Sequence, residues 1–229
     1  MSKFQRLAHV ALAVASVFTL AGCGEDSSSP TAPAPQARVM AVHASPDAPA
    51  VDLFVDGAIA GSGLAFPNNT GYLSVAGGTR NVKVNVAGTT TTVIDANLPV
   101  TAGVNYSVFA TGAVASLQPL VLVDDLTTPA SGKAHVRFLH LSPDAPAVDV
   151  AVTGGPVLFA NQAFRSYTAF TPVDAGTYDL EVRVAGTSTD ALPLPGVTLQ
   201  AGKIYTVFAR GFVAGSGAQA LGAQVIMNN

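Results

Sequence analysis

The side chains of this chain that could do chemistry are gathered in one short block that occurs twice. Ser45-Pro46-Asp47-Ala48-Pro49-Ala50-Val51-Asp52 recurs unchanged as Ser142 to Asp149, and a histidine, His43 or His140, stands just ahead of each copy. Two kinds of chemistry use such residues. His43, Asp47 and Asp52, with His140, Asp144 and Asp149 in the second copy, offer an imidazole and two carboxylates, the smallest ligand set a zinc ion takes. Calcium is a poorer match, because it asks for about six to eight oxygens and no D-x-D-x-D-G loop is present. Ser45, His43 and Asp52 are also the residue types of a nucleophile, its base and an orienting acid.

A structural reading competes with both. The prolines fix φ twice within five residues, and Ser or Asp can accept backbone N–H groups in a turn. On that reading the block is a rigid corner between two strands. Asp47 and Asp144 cap the turn, and each histidine bonds nearby backbone or an aspartate. Recurrence favours the corner, because a fold-rigidity motif must be present in every copy whereas a catalytic site need not be. No G-x-S-x-G, H-E-x-x-H or P-loop accompanies the block. The expectation is therefore no catalytic residue, no metal and no cofactor. A metal-binding module or metal-dependent hydrolase built on His43, Asp47 and Asp52 is the alternative. Asp124-Asp125 closes the first copy where Asn228-Asn229 closes the second, which argues against a shared metal role there. Tyr106, Phe109, Tyr205 and Phe208 read as packing residues. A sugar platform would favour exposed tryptophan, and the chain has none.

The elements that must position this block are themselves repeated. Residues 39–57 align with 136–154, 82–89 with 180–187, 102–110 with 201–209, and 121–125 with 225–229. The offset grows from 97 to 98 to 99, as small loop insertions would make it. Within each copy, Val82, Val84 and Val86 alternate with Asn81, Lys83 and Asn85, and Leu180, Val182 and Val184 repeat the pattern, a period of two with one buried face. Seven or eight short strands per copy follow, at about 38–44, 50–56, 63–66, 70–76, 80–88, 92–100, 104–111 and 117–125 in the first. The expected fold is all-β, two tandem immunoglobulin-like β-sandwich domains after a signal peptide, with a small β-barrel as the second choice.

Composition bounds the function. Of 229 residues, 49% are hydrophobic and 11% charged, the latter well under the usual ~25%. That excludes a disordered, solvating chain. Eleven basic against fourteen acidic residues, with no basic cluster, argue against a nucleic-acid partner. The single cysteine excludes an intrachain disulfide.

That cysteine lies at Cys23. Lys3 and Arg6 precede an apolar stretch, Leu7 to Thr19, too short to span a bilayer, and Leu20-Ala21-Gly22-Cys23 follows. The arrangement resembles the lipobox of bacterial lipoproteins. The resemblance implies a signal peptide over 1–22 and a diacylglycerol thioether on Cys23. Two or more acyl chains anchor stably at about 0.8 kcal/mol per buried CH₂. Gly24, rather than Asp, implies sorting to the outer membrane in a cell with two membranes. Residues 23–37 then form the lipidated cysteine and a Ser/Pro-rich tether, whose reach is roughly 45 Å. Repeat 1 is expected over 38–126, a linker over 127–132 and repeat 2 over 133–229.

The strings VHASPDAPAVDLFVDG, GYLSVAGGT and LVLVDD are similar to a bacterial family known as domain of unknown function 4397, and the likeness covers both copies. It implies a secreted or envelope-attached protein with tandem domains. The family carries no assigned activity, so it transfers no functional residue. The copies differ at Tyr72, which is Phe170 in the second, and at Asp56, which is Thr153. A ligand role at either would be confined to one repeat. The function expected is that of a cell-envelope lipoprotein in a non-enzymatic surface-binding or structural role. Its partners would be the lipid bilayer through acylated Cys23 and an envelope protein or glycan. It would face the periplasm or sit at the outer membrane if the cell is Gram-negative.

Overall fold

The computed structural model describes residues 35–229. The expected signal peptide, Cys23 and most of the expected tether lie outside the described residues. The rest forms one compact unit built of strands.

The first copy contains β1 (Gln36–His43), β2 (Val51–Val55), β3 (Ala58–Leu64), β4 (Asn69–Ala76), β5 (Gly78–Val86), β6 (Thr92–Val100), β7 (Asn105–Thr111) and β8 (Gln118–Asp124). They form two four-stranded sheets, ordered β4-β1-β7-β8 and β3-β2-β5-β6. The second copy repeats this with β9 (Lys133–His140), β10 (Val148–Val152), β11 (Val157–Gln162), β12 (Thr171–Asp174), β13 (Gly176–Val184), β14 (Asp190–Leu199), β15 (Ile204–Arg210) and β16 (Gly222–Met227). Its sheets are β12-β9-β15-β16 and β11-β10-β13-β14. In each copy the first strand runs parallel to the seventh and antiparallel to the fourth. The expected all-β pair of sandwiches is what the chain forms.

One expected strand is displaced. The segment placed at 63–66 is β3, which begins at Ala58. Val55 pairs with Ala58, so Asp56-Gly57 is a two-residue hairpin loop, and both residues have positive φ, 50° and 80°. That is the backbone a tight hairpin demands, and Asp-Gly is among its strongest sequence signals.

The two sandwiches pack sheet against sheet, giving four layers. The strands β1 and β9 lie in the middle layers and bury both faces, so their central residues, Val39 to Val42 and Val136 to Leu139, carry no polar alternation apart from Arg137. On β1, Met40 and Val42 face the other copy, while Val39 and Ala41 face their own sandwich. The central cluster is made of equivalent residues from the two copies: Val42 and Leu139, Ala44 and Leu141, Phe109 and Phe208, Leu122 and Ile226. Phe109 and Phe208 touch each other edge to face, with ring centroids 5.9 Å apart at 76°. Equivalent residues meeting one another mark a two-fold relation, so the duplicated chain packs as a homodimer would.

Candidate functional site

The duplicated block forms the same corner in both copies. His43 is buried, and its Nε2 lies 3.0 Å from the carbonyl of Pro49; His140 Nε2 lies 2.9 Å from that of Pro146. A carbonyl oxygen can only accept, so Nε2 carries the proton and donates it. Nδ1 of each ring is buried without a partner. Burial holds both imidazoles below their ordinary pKa, with the hydrogen bond to the proline carbonyl a smaller, opposing effect. Both rings are accordingly neutral struts that tie the end of one strand to the start of the next.

The aspartates serve elements distant in sequence. Asp47 Oδ1 accepts the backbone N–H of Val114 at 2.8 Å, and Asp144 accepts that of Val213 at 2.9 and 3.1 Å. The expectation was a cap on their own turn. The carboxylates instead clamp the loop after β7, or after β15, onto the corner. Asp52 accepts Gly63 N–H at 2.8 Å and Gly88 N–H at 2.9 Å, bridging β3 and the β5–β6 hairpin across β2. Asp149 does the same with Asn161 at 2.6 Å and Gly186 at 2.9 Å. Gly63 and Asn161 are equivalent, sit at ladder irregularities and have φ of 62° and 50°. A bulge of this kind frees a backbone N–H, and the aspartate takes it. These bonds to Gly88 and Gly63, and to Asn161 and Gly186, hold the Asp52 and Asp149 carboxyls below their ordinary pKa.

No Ser45–His43–Asp52 relay forms. The histidine donates to Pro49, the aspartate accepts from two glycines, and Ser45 Oγ sits 3.5 Å from Asp47 Oδ1. Ser142 Oγ donates to the Gly211 carbonyl at 2.6 Å. Among the described residues, no three His, Cys, Asp or Glu side chains converge as a metal would need. His43, Asp47 and Asp52, like His140, Asp144 and Asp149, are brought to one corner and turned towards different backbone partners.

A second polar cluster, between the copies, joins Tyr72, Phe170, Asp124 and Asn228, which the sequence singled out, to Arg137, Ser107 and Thr206, which it did not. Arg137 and Asp124 form a buried ion pair, Nη1 to Oδ1 at 2.7 Å, an approach without the angle of a hydrogen bond. Arg137 also donates to Thr206 Oγ1 at 2.9 Å and Ser107 Oγ at 3.1 Å, and its guanidinium stacks over Phe170 at 4.5 Å. Asp124 Oδ2 accepts from Tyr72 and from Ser107, each at 2.5 Å. Asn228 donates to Tyr72 Oη at 3.1 Å and accepts from Thr206 at 2.8 Å. Burial, and then the Asp124 charge, push the Tyr72 phenol up to about 12. Each member has a counterpart at the equivalent place in the other copy: Met40 for Arg137, Asn228 for Asp124, Thr206 for Ser107, Phe170 for Tyr72. Each of these pairs differs between the copies where the two copies meet. The available signal was that Arg137 stands among Val136, Phe138 and Leu139 in the middle of β9.

The family model described as Domain of unknown function (DUF4397) matches residues 37–151, which contain the second corner block and all but the first residue of the first sandwich's strands. The chain belongs to this family. The DUF4397 match thus takes in both copies of the His and SPDAPAVD arrangement, whose side chains the fold itself uses. No curated protein matches the chain. Among solved structures, it is similar to a family CBM26 carbohydrate-binding module from Eubacterium rectale, solved with maltoheptaose. That likeness has 11% identity and a TM-score of 0.27, and covers 83% of this chain and 96% of that one. It is also similar to a Bacteroides fragilis protein described as a candidate cell adhesion protein, at 11% identity and a TM-score of 0.20, covering 82% and 97%. Likenesses this distant say nothing of what a DUF4397 chain binds.

Proposed function

We propose that the chain is a lipid-anchored protein of the cell envelope whose double sandwich binds or spaces and does not catalyse. One observation carries the non-enzymatic part. The histidine and the two aspartates that looked chemically capable are committed to backbone partners at equivalent places in the two copies. A catalytic or metal role would have to give up the bonds that hold the corner. The anchoring part is supported by the sequence, in which the single cysteine follows Leu-Ala-Gly and precedes a Ser/Pro-rich tether. Partners of the body are sought among envelope proteins and glycans.

The test is metabolic labelling with palmitate in the native host. The wild-type chain takes up label and fractionates with membranes, and Cys23→Ser does neither. Label and membrane association that persist in Cys23→Ser overturn the anchoring.

A further inference from the structure

We propose that the first sandwich is a binding site for a small apolar ligand, held between its two sheets. The observation is a difference between the copies. The interior of the first sandwich holds a cavity of about 180 Å³ that runs from Val39 to His43, whereas around Val136, Phe138 and Val150 the second keeps only about 20 Å³, its other pocket lying apart at His140, Val148 and Leu192. The second is filled by Phe138 and Phe159, stacked with centroids 6.3 Å apart at 13°. Their counterparts in the first copy are Ala41 and Gly61. The register confirms the match, since Gly61 pairs with Leu53 as Phe159 pairs with Val150. Two aromatic rings are thus absent from one otherwise equivalent core.

The cavity is apolar and reachable. Its lining includes Ala41, Leu53, Val82, Ile94 and Leu98, and its polar side chains are His43 and Asn97. The His43 proton is already given to Pro49. An ordered water needs about two to four polar partners, which this lining does not supply, and an apolar cavity of about 150 Å³ takes up benzene or xenon. Val121 on β8, 41% exposed, and the exposed Asn97 on β6 both line it, so it opens between these two edge strands. The chemistry that fits is a hydrocarbon group, free or at the end of a lipid chain. The inference deepens the binding reading above by naming a ligand class. Palmitate labelling reads anchoring and the titration below reads the cavity, so either can fail without the other.

The experiment titrates residues 24–229, which contain the whole compact body, with benzene and separately with octanoate, followed by methyl NMR. The expected result is saturable shifts at Leu53, Val82 and Ile94, with Val150 and Val207, beside the filled space of the second sandwich, unmoved. Benzene binding alone points to a free hydrocarbon, and octanoate binding as well points to a chain end. Ala41→Phe/Gly61→Phe restores the second copy's filling and weakens binding by roughly tenfold or more. A Cβ at Gly61 meets Thr70 Cγ2 at 3.4 Å and Leu53 Cβ at 4.0 Å, so a side chain has room to start there. Should the double variant not fold, Ala41→Leu alone gives a smaller loss. Absence of saturable shifts with both probes in the wild type, or a folded filled variant that binds as tightly, overturns the proposal.

Discussion

Arg137 Nη1 lies 2.7 Å from Asp124 Oδ1, the two side chains are 3% and 0% exposed, and they belong to different repeats. A charge this deeply buried is tolerable only while its partner stands beside it. Arg137→Met restores the residue that the first copy carries at this place, and leaves Asp124 unpaired. The expected cost is about 3–5 kcal/mol. Adding Asp124→Asn, the second copy's residue, recovers most of it, because a buried ion pair replaced as a whole is often neutral. Urea unfolding of the two single variants and the double variant measures the coupling. Purely additive losses would show that the pair does not act as a unit.

Phe109 and Phe208 are equivalent residues in edge-to-face contact within the central cluster. Phe109→Ala and Phe208→Ala each remove a fully buried ring, at an expected cost of about 3–5 kcal/mol. The double variant should cost less than the sum, since the second truncation removes a contact already lost. Denaturant unfolding reads this, and equal, additive losses would contradict a shared contact.

Acid should weaken the fold in two steps. The folded pKa of His43 and His140 is depressed by burial below the ordinary 6.5. Between that lowered value and 6.5 the unfolded chain binds more protons, so stability rises with pH there. The histidine contribution is complete above 6.5 and falls away as the pH drops below it. Asp52 and Asp149 lie below the ordinary 3.8, so their contribution is present above 3.8 and is lost as the pH falls through the folded value. Unfolding midpoints across the range should show both steps. His43→Gln/His140→Gln keeps an N–H for the proline carbonyl and should abolish the upper step alone. A wild-type profile flat from above 6.5 down to the carboxylate range would contradict the neutral buried histidines.

Filling the first sandwich should stabilise it. Ala41→Phe/Gly61→Phe adds the rings the second copy already packs, and cavity filling of this kind commonly yields about 0.5–2 kcal/mol. Thermal unfolding in the absence of ligand reads the gain. A loss of stability would show that the first sandwich is shaped against such rings rather than merely lacking them.

Much of this architecture was legible in the residues. The duplicated strings align strand for strand, and the Pro-rich block reads as a corner because proline narrows φ whatever surrounds it. The β5 and β13 alternation reads as a half-buried strand because one face meets the core. The packing of the two copies was not legible. The middle of β1, Val39 to Val42, is apolar on both faces, so its sequence says that each face is covered but not by what. Arg137, Asp124 and Tyr72 are far apart in the chain, and only the two-fold packing brings them together. The clamp from Asp47 to Val114 escaped for the same reason, since an aspartate two residues after a serine satisfies a local turn equally well on paper. The cavity lay in plain view as Ala41 against Phe138 and Gly61 against Phe159, but its meaning depends on knowing that both positions point into the sandwich.

The central claim is that the duplicated block serves the fold and neither binds metal nor catalyses. Elemental analysis of purified residues 24–229, paired with thermal unfolding before and after chelation, tests it most directly. The account predicts no stoichiometric metal and an unchanged Tm. A bound metal whose removal lowers the Tm, and which is lost in Asp47→Ala/Asp52→Ala, would contradict it.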